Sequence, residues 1–399
     1  MWLSADRLAL SSPSPRPCVS SRYIGAAVSW DLIRDSPEPY GNIVSTEFNQ
    51  MTLEDQHTWG AMLSQEKGKE GVYDFEAADA AVNWGVNHGL EVKGHALVWH
   101  QCTPPWLEKM STSRVREALY IHITKIMNHF YHNVRVWDVL NEILSYDGSG
   151  RMNKGSIFYK RLGSGYVEEV LRVAHHTDPN CKLLINDMHC ESAGLPGSRS
   201  AKSDALFGIC KDLLDRGVPL NGVGLECHLN ASGTQEWAVP TPHSVVRNIR
   251  RYGELGMSVN ISEMDVRTSG MELPERYRDA AQEVIYRDLL AAAYMEPNFD
   301  GATLWGVSDK DSWVHNFFPS VEAERPLLWD TSFQKKPAYY GVDEALQCLC
   351  GDGEVPAVEG VHEQVIWEQE RRAEQRKATQ CAHVHGAGLR GLVKVHGLA

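Results

Sequence analysis

No run of ~18 apolar residues occurs in this sequence, so it offers no helix long enough to cross a bilayer, and no membrane partner is expected. Its 9 cysteines include no Cys-x-x-Cys pair and no evenly spaced framework. Cys348 and Cys350 lie too close together for a zinc site without more ligands nearby. Most cysteines therefore read as core thiols, with room for one disulfide. The 17 histidines include no His-Glu-x-x-His or comparable ligand spacing, so no catalytic metal is expected, with room for a structural ion, and no organic cofactor is expected either. Met1 to Pro17 lack the long apolar core of a signal peptide, carrying Asp6, Arg7 and a Ser/Pro cluster instead. Basic residues are the minority: 39 Lys+Arg stand against 52 Asp+Glu, for a net charge of −13. Such a chain repels phosphate backbones and disfavours nucleic acid, whereas a neutral polymer would meet no such barrier.

What is present is length and a rhythm. The 399 residues, 43% hydrophobic, suffice for one large barrel or two ordinary domains. Residues 1–20 read as a disordered leader of prolines among serines. From Tyr23, short β-branched apolar runs alternate with longer amphipathic stretches. The runs are Tyr23–Val28, Ser45–Met51, Glu91–Trp99, Val134–Glu142, Lys182–His189, Gly222–Leu229, Ser258–Val266 and Gly301–Asp309. Helical stretches include Phe75–His88, with a stripe of Ala77, Ala78, Ala81, Val82 and Trp84, then Ser113–Tyr131 and Glu275–Tyr294. The alternation implies βαβ units and a parallel sheet, and eight units imply a closed (β/α)₈ TIM barrel over residues 21–346. An open doubly wound sheet would want a glycine-rich first turn, and Gly25 stands alone. Residues 347–399 read as a linker, a charged helix over His362–Thr379 and a tail containing Gly and His, with no assigned role.

Active sites of such barrels sit where the strands end. The fourth run ends Trp137-Asp138-Val139-Leu140-Asn141-Glu142 and the seventh Ile261-Ser262-Glu263-Met264-Asp265. Two carboxylates thus emerge at one rim, the pair that retaining cleavage of a glycosidic bond requires. A lone Glu is usually a surface residue; a Glu closing an apolar strand is half-buried by its neighbours. The other runs add Thr52, Glu54 and Trp59, then His95, Trp99 and His100, Asn186 and Asp187, Glu226 and His228, and Trp305, Asp309, Ser312 and Trp313. Carboxylates, imidazoles and indoles on one rim are the inventory of a sugar cleft. The 12 tryptophans suit it too, because indole offers a flat apolar face with one N–H donor.

Motifs in order along the chain resemble glycoside hydrolase family 10, whose main activity is endo-β-1,4-xylanase. They are EFNQMT at Glu47–Thr52, GHALVWH at Gly94–His100, WDVLNE at Trp137–Glu142, LINDMH at Leu184–His189, GVGLECHL at Gly222–Leu229, ISEMDV at Ile261–Val266, TLWGVSDKDSW at Thr303–Trp313 and PLLWDTSFQKKPAY at Pro326–Tyr339. The resemblance covers Tyr23 to Leu346. It implies Glu142 as acid/base and Glu263 as nucleophile. It implies Asn141 on the sugar 2-hydroxyl, and His228 bridging Glu263 and Asp265, with Glu226 also supporting the pair. Glu54, Asp55, His95, Trp99, Trp305 and Trp313 would bind sugars.

Departures from the family pattern fall on the rim. Asp55 stands where Asn is usual and Thr58 where Lys is usual, with His57 beside it as a partial substitute. Cys102 stands where a Gln often follows His100 by two residues, Met188 and His189 replace Tyr-Asn, and Glu226 replaces Gln. Unless it is itself protonated or turned to a cation, Glu226 would place like charge near Glu142 and move the optimum toward neutral or alkaline pH. The expected activity is retaining, endo-acting hydrolysis of β-1,4-xylan by a monomer, with a polysaccharide or oligosaccharide as partner. One alternative keeps the chemistry on another β-glycan or glycoside. A second is a carbohydrate-binding pseudoenzyme. The substrate class implies secretion while no signal peptide is visible, so the chain is either intracellular or its native start lies elsewhere than Met1, the second being the expectation.

Overall fold

The computed structural model describes residues 22–63, 71–194, 198–233, 238–319 and 324–347. The β-branched runs form strands β1 (Tyr23–Val28), β2 (Gln50–Leu53), β3 (Glu91–Trp99), β4 (Val134–Asn141), β5 (Lys182–Asp187), β6 (Gly222–Leu225), β7 (His228–Asn230), β8 (Ser258–Arg267) and β9 (Phe299–Leu304). Every pairing is parallel, in the order β6-β5-β4-β3-β2-β1-β9-β8, and β6 pairs with β8 to close the sheet. β7 also pairs with β8, so β6 and β7 are one stave of the barrel, interrupted at Glu226 and Cys227. The fold is an eight-staved (β/α)₈ barrel.

The helices follow from apolar residues three and four apart. Thr112–His129 buries Val115, Leu119, Ile123 and Ile126 on one face. Each such side chain contributes about 1.5–3 kcal/mol when fully buried. Glu275–Tyr294 has the bounds its pattern predicts, and the closing helix Pro337–Gln347 lies against it. Gly341 permits that approach, since a Cβ there would sit 2.5 Å from the Glu283 carbonyl oxygen. Glu76–Asn87 buries Ala78, Ala81, Val82 and Gly85, whereas Ala77 of the expected stripe is exposed.

Three strands depart from the sequence pattern by more than two residues or by a break. Ser45–Glu47 belongs to a short helix, Asn42–Glu47, and β2 starts at Gln50. Ser45 and Thr46 donate their hydroxyls to the Asn42 carbonyl at 3.1 and 2.7 Å, bonds a helix supplies and a strand does not. The sixth run breaks at Glu226, and the last ends at Leu304, leaving Asp309 in a 3₁₀ turn. The expected leader, and the expected tail beyond Gln347, lie outside the described residues. Among the described residues, five cysteines form no disulfide, and no helix is long and apolar enough to cross a membrane.

Polar side chains inside the barrel are paired with one another. Gln50 donates to Thr52 at 2.9 Å and accepts from Thr303 at 3.1 Å. Lys93 and Asp138 form an ion pair at 2.8 Å, and both are buried. Asp138 also holds His95 at 2.9 Å. Asp138→Ala is expected to destabilise the fold by about 3–5 kcal/mol in chemical denaturation, because Lys93 would be left charged and unpaired. A change below about 1 kcal/mol would show that the pair is structurally idle.

Candidate active site

The strands lose regular register at their C-terminal ends. Shifts occur between His95 and Val98, between Asp138 and Leu140, and between Ile261 and Met264. Such irregularities re-aim side chains. Glu142, the first residue after β4, has φ +55°, and Cys227, in the β6–β7 interruption, has φ +64°. Non-glycine residues occupy this left-handed region at a cost of about 1–3 kcal/mol, which the surrounding structure must offset. Here the Glu142 N–H donates to the Asn186 carbonyl at 2.9 Å, and the Glu263 N–H to the Glu226 carbonyl at 3.1 Å.

Glu142 and Glu263 each have 5% exposure, and their surroundings differ in charge. The Oε2 of Glu142 accepts from Trp99 Nε1 at 2.6 Å, from Gln101 Nε2 at 3.1 Å and from the Tyr146 hydroxyl, all neutral donors. Burial pushes its carboxyl up to about 7; the Tyr146 and Trp99 hydrogen bonds hold it down, and Asp187 and Glu263 push it further up. Glu263 accepts from Asn186 Nδ2 at 2.7 Å on Oε1, and its Oε2 lies 3.2 Å from His228 Nε2. His228 Nδ1 lies 2.8 Å from Asp265 Oδ2, which also accepts from Trp313 Nε1 at 2.7 Å. Burial alone would lower the His228 pKa, yet Asp265 and Glu263 raise it to about 10, so the ring is an imidazolium at neutral pH.

Asn186 orders the centre. Its Oδ1 accepts from Ser262 at 2.5 Å, and its Nδ2 faces Asn141 Oδ1 and Glu263 Oε1, each at 2.7 Å. That fixes both amides, turning the Asn141 carbonyl oxygen toward Asn186. Gly224 makes room, since a Cβ there would stand 2.1 Å from Asn186 Oδ1. His95 sits 3.9 Å from Glu263 and, with Trp305, forms an edge contact at 5.0 Å. Trp99, Trp305 and Trp313 are half-buried, as is Glu54, while Asp55 is exposed. Burial, then Asp55, Asp311 and Glu263, push the Glu54 carboxyl up to about 8, with no cation opposing them.

The barrel thus brings together Glu142, Glu263, Asn141, His228, Asp265, Glu226, His95, Trp99, Trp305 and Trp313. Others from the rim inventory lie elsewhere. His57 is fully buried, edge-on to Phe130 at 4.9 Å, and neither ring nitrogen has a hydrogen-bond partner. Burial lowers its pKa to about 3, so it is a neutral core ring and no substitute for a lysine. Trp59 is buried against the His122 ring at 4.1 Å, and Asp309 pairs with Lys336 at 2.9 Å. Gln101 and Tyr146 carry no role in the sequence reading, and Asn186 only a place on the rim. The glutamine expected two residues after His100 is the next residue, Gln101, which reaches Glu142 while Cys102 does not.

Among the described residues, one group could hold a metal ion: Glu226, His228 and Glu263 bring ligand atoms within 4.8 Å of one another. His228 is already engaged there as a cation between two carboxylates, a state that competes with metal ligation.

A closed parallel barrel with two buried glutamates at its C-terminal rim, one beside an imidazolium and one beside neutral donors, defines a glycoside hydrolase. The chain belongs to glycosyl hydrolase family 10, whose family model matches residues 18–345. It is 31% identical over 326 residues to endo-1,4-beta-xylanase of Agaricus bisporus, covering 80% of this chain and 90% of that one. It is 34% identical to endo-1,4-beta-xylanase A of Humicola insolens, covering 82% and 83%. Among solved structures, xylanase 10B of Thermotoga petrophila RKU-1 in complex with xylobiose superposes with a TM-score of 0.76 at 30% identity, covering 86% of this chain and 99% of that one.

Proposed function

We propose that residues 21–346 form a retaining endo-1,4-β-xylanase in which Glu142 is the acid/base and Glu263 the nucleophile. The observation that carries this is the asymmetry of charge. Glu263 has a cation and an amide on its two oxygens. Glu142 is buried with no cation on its oxygens, and burial keeps its proton up to about neutral pH against the opposite pull of its neutral donors.

In the first step Glu263 attacks the anomeric carbon as the bond to the leaving oxygen breaks. The Glu142 proton passes to that oxygen, leaving a glycosyl ester on Glu263. In the second step the Glu142 carboxylate takes a proton from water, the water oxygen attacks the anomeric carbon, and Glu263 departs as a carboxylate. His228, Asp265 and Asn186 orient Glu263. Asn141, its carbonyl turned to Asn186, presents its N–H₂ to the sugar 2-hydroxyl. Glu54, Asp55, His95, Trp99, Trp305 and Trp313 line the sugar path. The two carboxylates supply acid, base and nucleophile, so the chemistry asks for no metal or cofactor.

The test is oligosaccharide release from xylan across pH. Since Glu142 must enter the first step protonated, kcat/KM should fall tenfold per unit as pH rises past about 7. A profile flat well beyond that value would remove Glu142 from the acid role.

A second reading, cleavage of another β-glycan, draws on Thr58. Where the family pattern has a lysine, this chain has a buried threonine, and the neighbouring His57 points into the core. Faster hydrolysis of xylo- than of cello-oligosaccharides would favour the first reading, and the reverse the second. Binding without turnover would make the chain a carbohydrate-binding protein.

A further inference from the structure

Glu226 is the buried carboxyl of this site that the two-step chemistry leaves without a task. It is 1% exposed and follows β6 at the interruption of the sixth stave. Its Oε1 lies 3.4 Å from Asn186 Nδ2. That amide has two protons and already faces Asn141 and Glu263 at 2.7 Å each, so donor counting leaves none for Glu226.

The cations nearby are engaged elsewhere. Lys202 lies 2.8 Å from Asp187. His228 Nε2 lies 3.9 Å from Glu226 but 3.2 Å from Glu263, and its Nδ1 is on Asp265. The remaining titratable groups around Glu226 are Glu142 and Tyr146 from beyond β4, and Asp187 and Cys190 from the end of β5. Among the described residues, a carboxylate in this position would be buried beside other anions, with His228 at 3.9 Å as its cation and no full-strength donor of its own. Such a group neutralises instead.

We propose that Glu226 is a neutral carboxylic acid at working pH and serves as a positioning residue beside the Glu142–Glu263 pair, contributing an O–H donor to a centre in which both amide protons of Asn186 are already taken. The proposal rests on the glycosidase reading of that pair. It means that the three carboxyls hold two protons in the active state. Burial, then Glu263 and Glu142, push the Glu226 carboxyl well above the usual range, with Lys202 opposing. On this proposal Glu226, the more deeply buried of the two, keeps its proton after Glu142 has lost its own. Glu142 therefore titrates beside a neutral neighbour, and the like-charge shift drawn from the sequence gives way to this order.

The test compares wild type with Glu226→Gln by infrared difference spectroscopy from about pH 5 to about pH 9, a span covering the shifted carboxyls of the site. The expected difference is a protonated-carboxyl C=O stretch, present in wild type, absent from the variant, and still present after the Glu142 band has gone. In kinetics, Glu226→Leu should lose about tenfold or more in kcat/KM, the value of one donor, and Glu226→Gln should recover most of it. The upper limb of the Glu226→Gln profile should stay where it is in wild type. Carboxylate bands in place of the C=O stretch, or an upper limb moved about one unit toward acid in Glu226→Gln, would overturn the proposal, since either reports a charge at this position. The spectrum needs no substrate, so it stays readable even if xylan is not cleaved or Glu226→Leu fails to fold.

Discussion

Glu263→Gln should fold as wild type does and lose xylan hydrolysis by on the order of 10⁴-fold or more, since groups that act as one unit lose nearly all their effect when one is removed. The amide keeps the shape and can still accept from Asn186, so the loss reports the missing nucleophile and not a collapsed site. Two further consequences separate this from general damage. Glu263 is one of the charges that raise the Glu142 pKa, so its removal should bring that pKa below about 7. His228 should lose basicity as well, because Glu263 is one of the two carboxylates that raise its pKa to about 10. Both titrations can be followed by NMR without turnover. Glu263→Asp provides the geometric control: it keeps the charge but withdraws it by ~1 Å, a misplacement that alone costs about 10²-fold. A Glu263→Gln enzyme that still released xylo-oligosaccharides at more than about a hundredth of the wild-type rate would transfer the nucleophile role elsewhere.

The parts of the site legible in the sequence are those set by strand register. Glu142 ends the fourth apolar run and Glu263 lies in the C-terminal half of the seventh, which places both toward the rim once the barrel closes. His95, Trp99, His228 and Trp305 follow by the same rule. What the sequence does not display is how loops and breaks turn side chains. Gln101 reaches Glu142 through a 3₁₀ turn after β3, and Tyr146 through the chain beyond Glu142, where spacing carries no period. His57 lies two residues from Asp55 and points the opposite way, into Phe130 and Trp137. The break after β6 is equally hidden, because Gly222–Leu229 reads as one continuous run although Cys227 turns to positive φ in the middle. Asn186 stands at a legible strand end, but its role as the amide joining Asn141 to Glu263 appears only when three staves meet. The helix Asn42–Glu47 shows the remaining weakness. Its Ile, Val and Thr favour strand by composition, and local hydroxyl bonds decide otherwise.

Glu142→Ala should separate the two steps of the reaction by leaving group. On xylan the departing sugar oxygen needs a proton, and losing the acid is expected to slow cleavage by about 10²–10⁴-fold. On an aryl xylobioside whose phenol is already acidic, the first step needs no proton. It should proceed at close to the wild-type rate and give a burst of phenol. The second step then lacks its base, so the glycosyl ester on Glu263 accumulates and can be detected by mass spectrometry. Azide, which attacks without losing a proton, should release it as a glycosyl azide of the same anomeric configuration as the substrate, the mark of two inversions. The fall in activity past about 7 should also vanish, since the titrating group is gone. Removing the carboxylate leaves Trp99, Gln101 and Tyr146 without their shared acceptor, so Glu142→Gln, which retains one oxygen, is the companion variant. If both variants lose equal activity on xylan and on the activated glycoside, with no burst and no azide product, Glu142 holds the site together and another group supplies the proton. If the burst and the azide product appear, the proton and the nucleophile belong to different glutamates, as the imidazolium beside one and the neutral donors beside the other require.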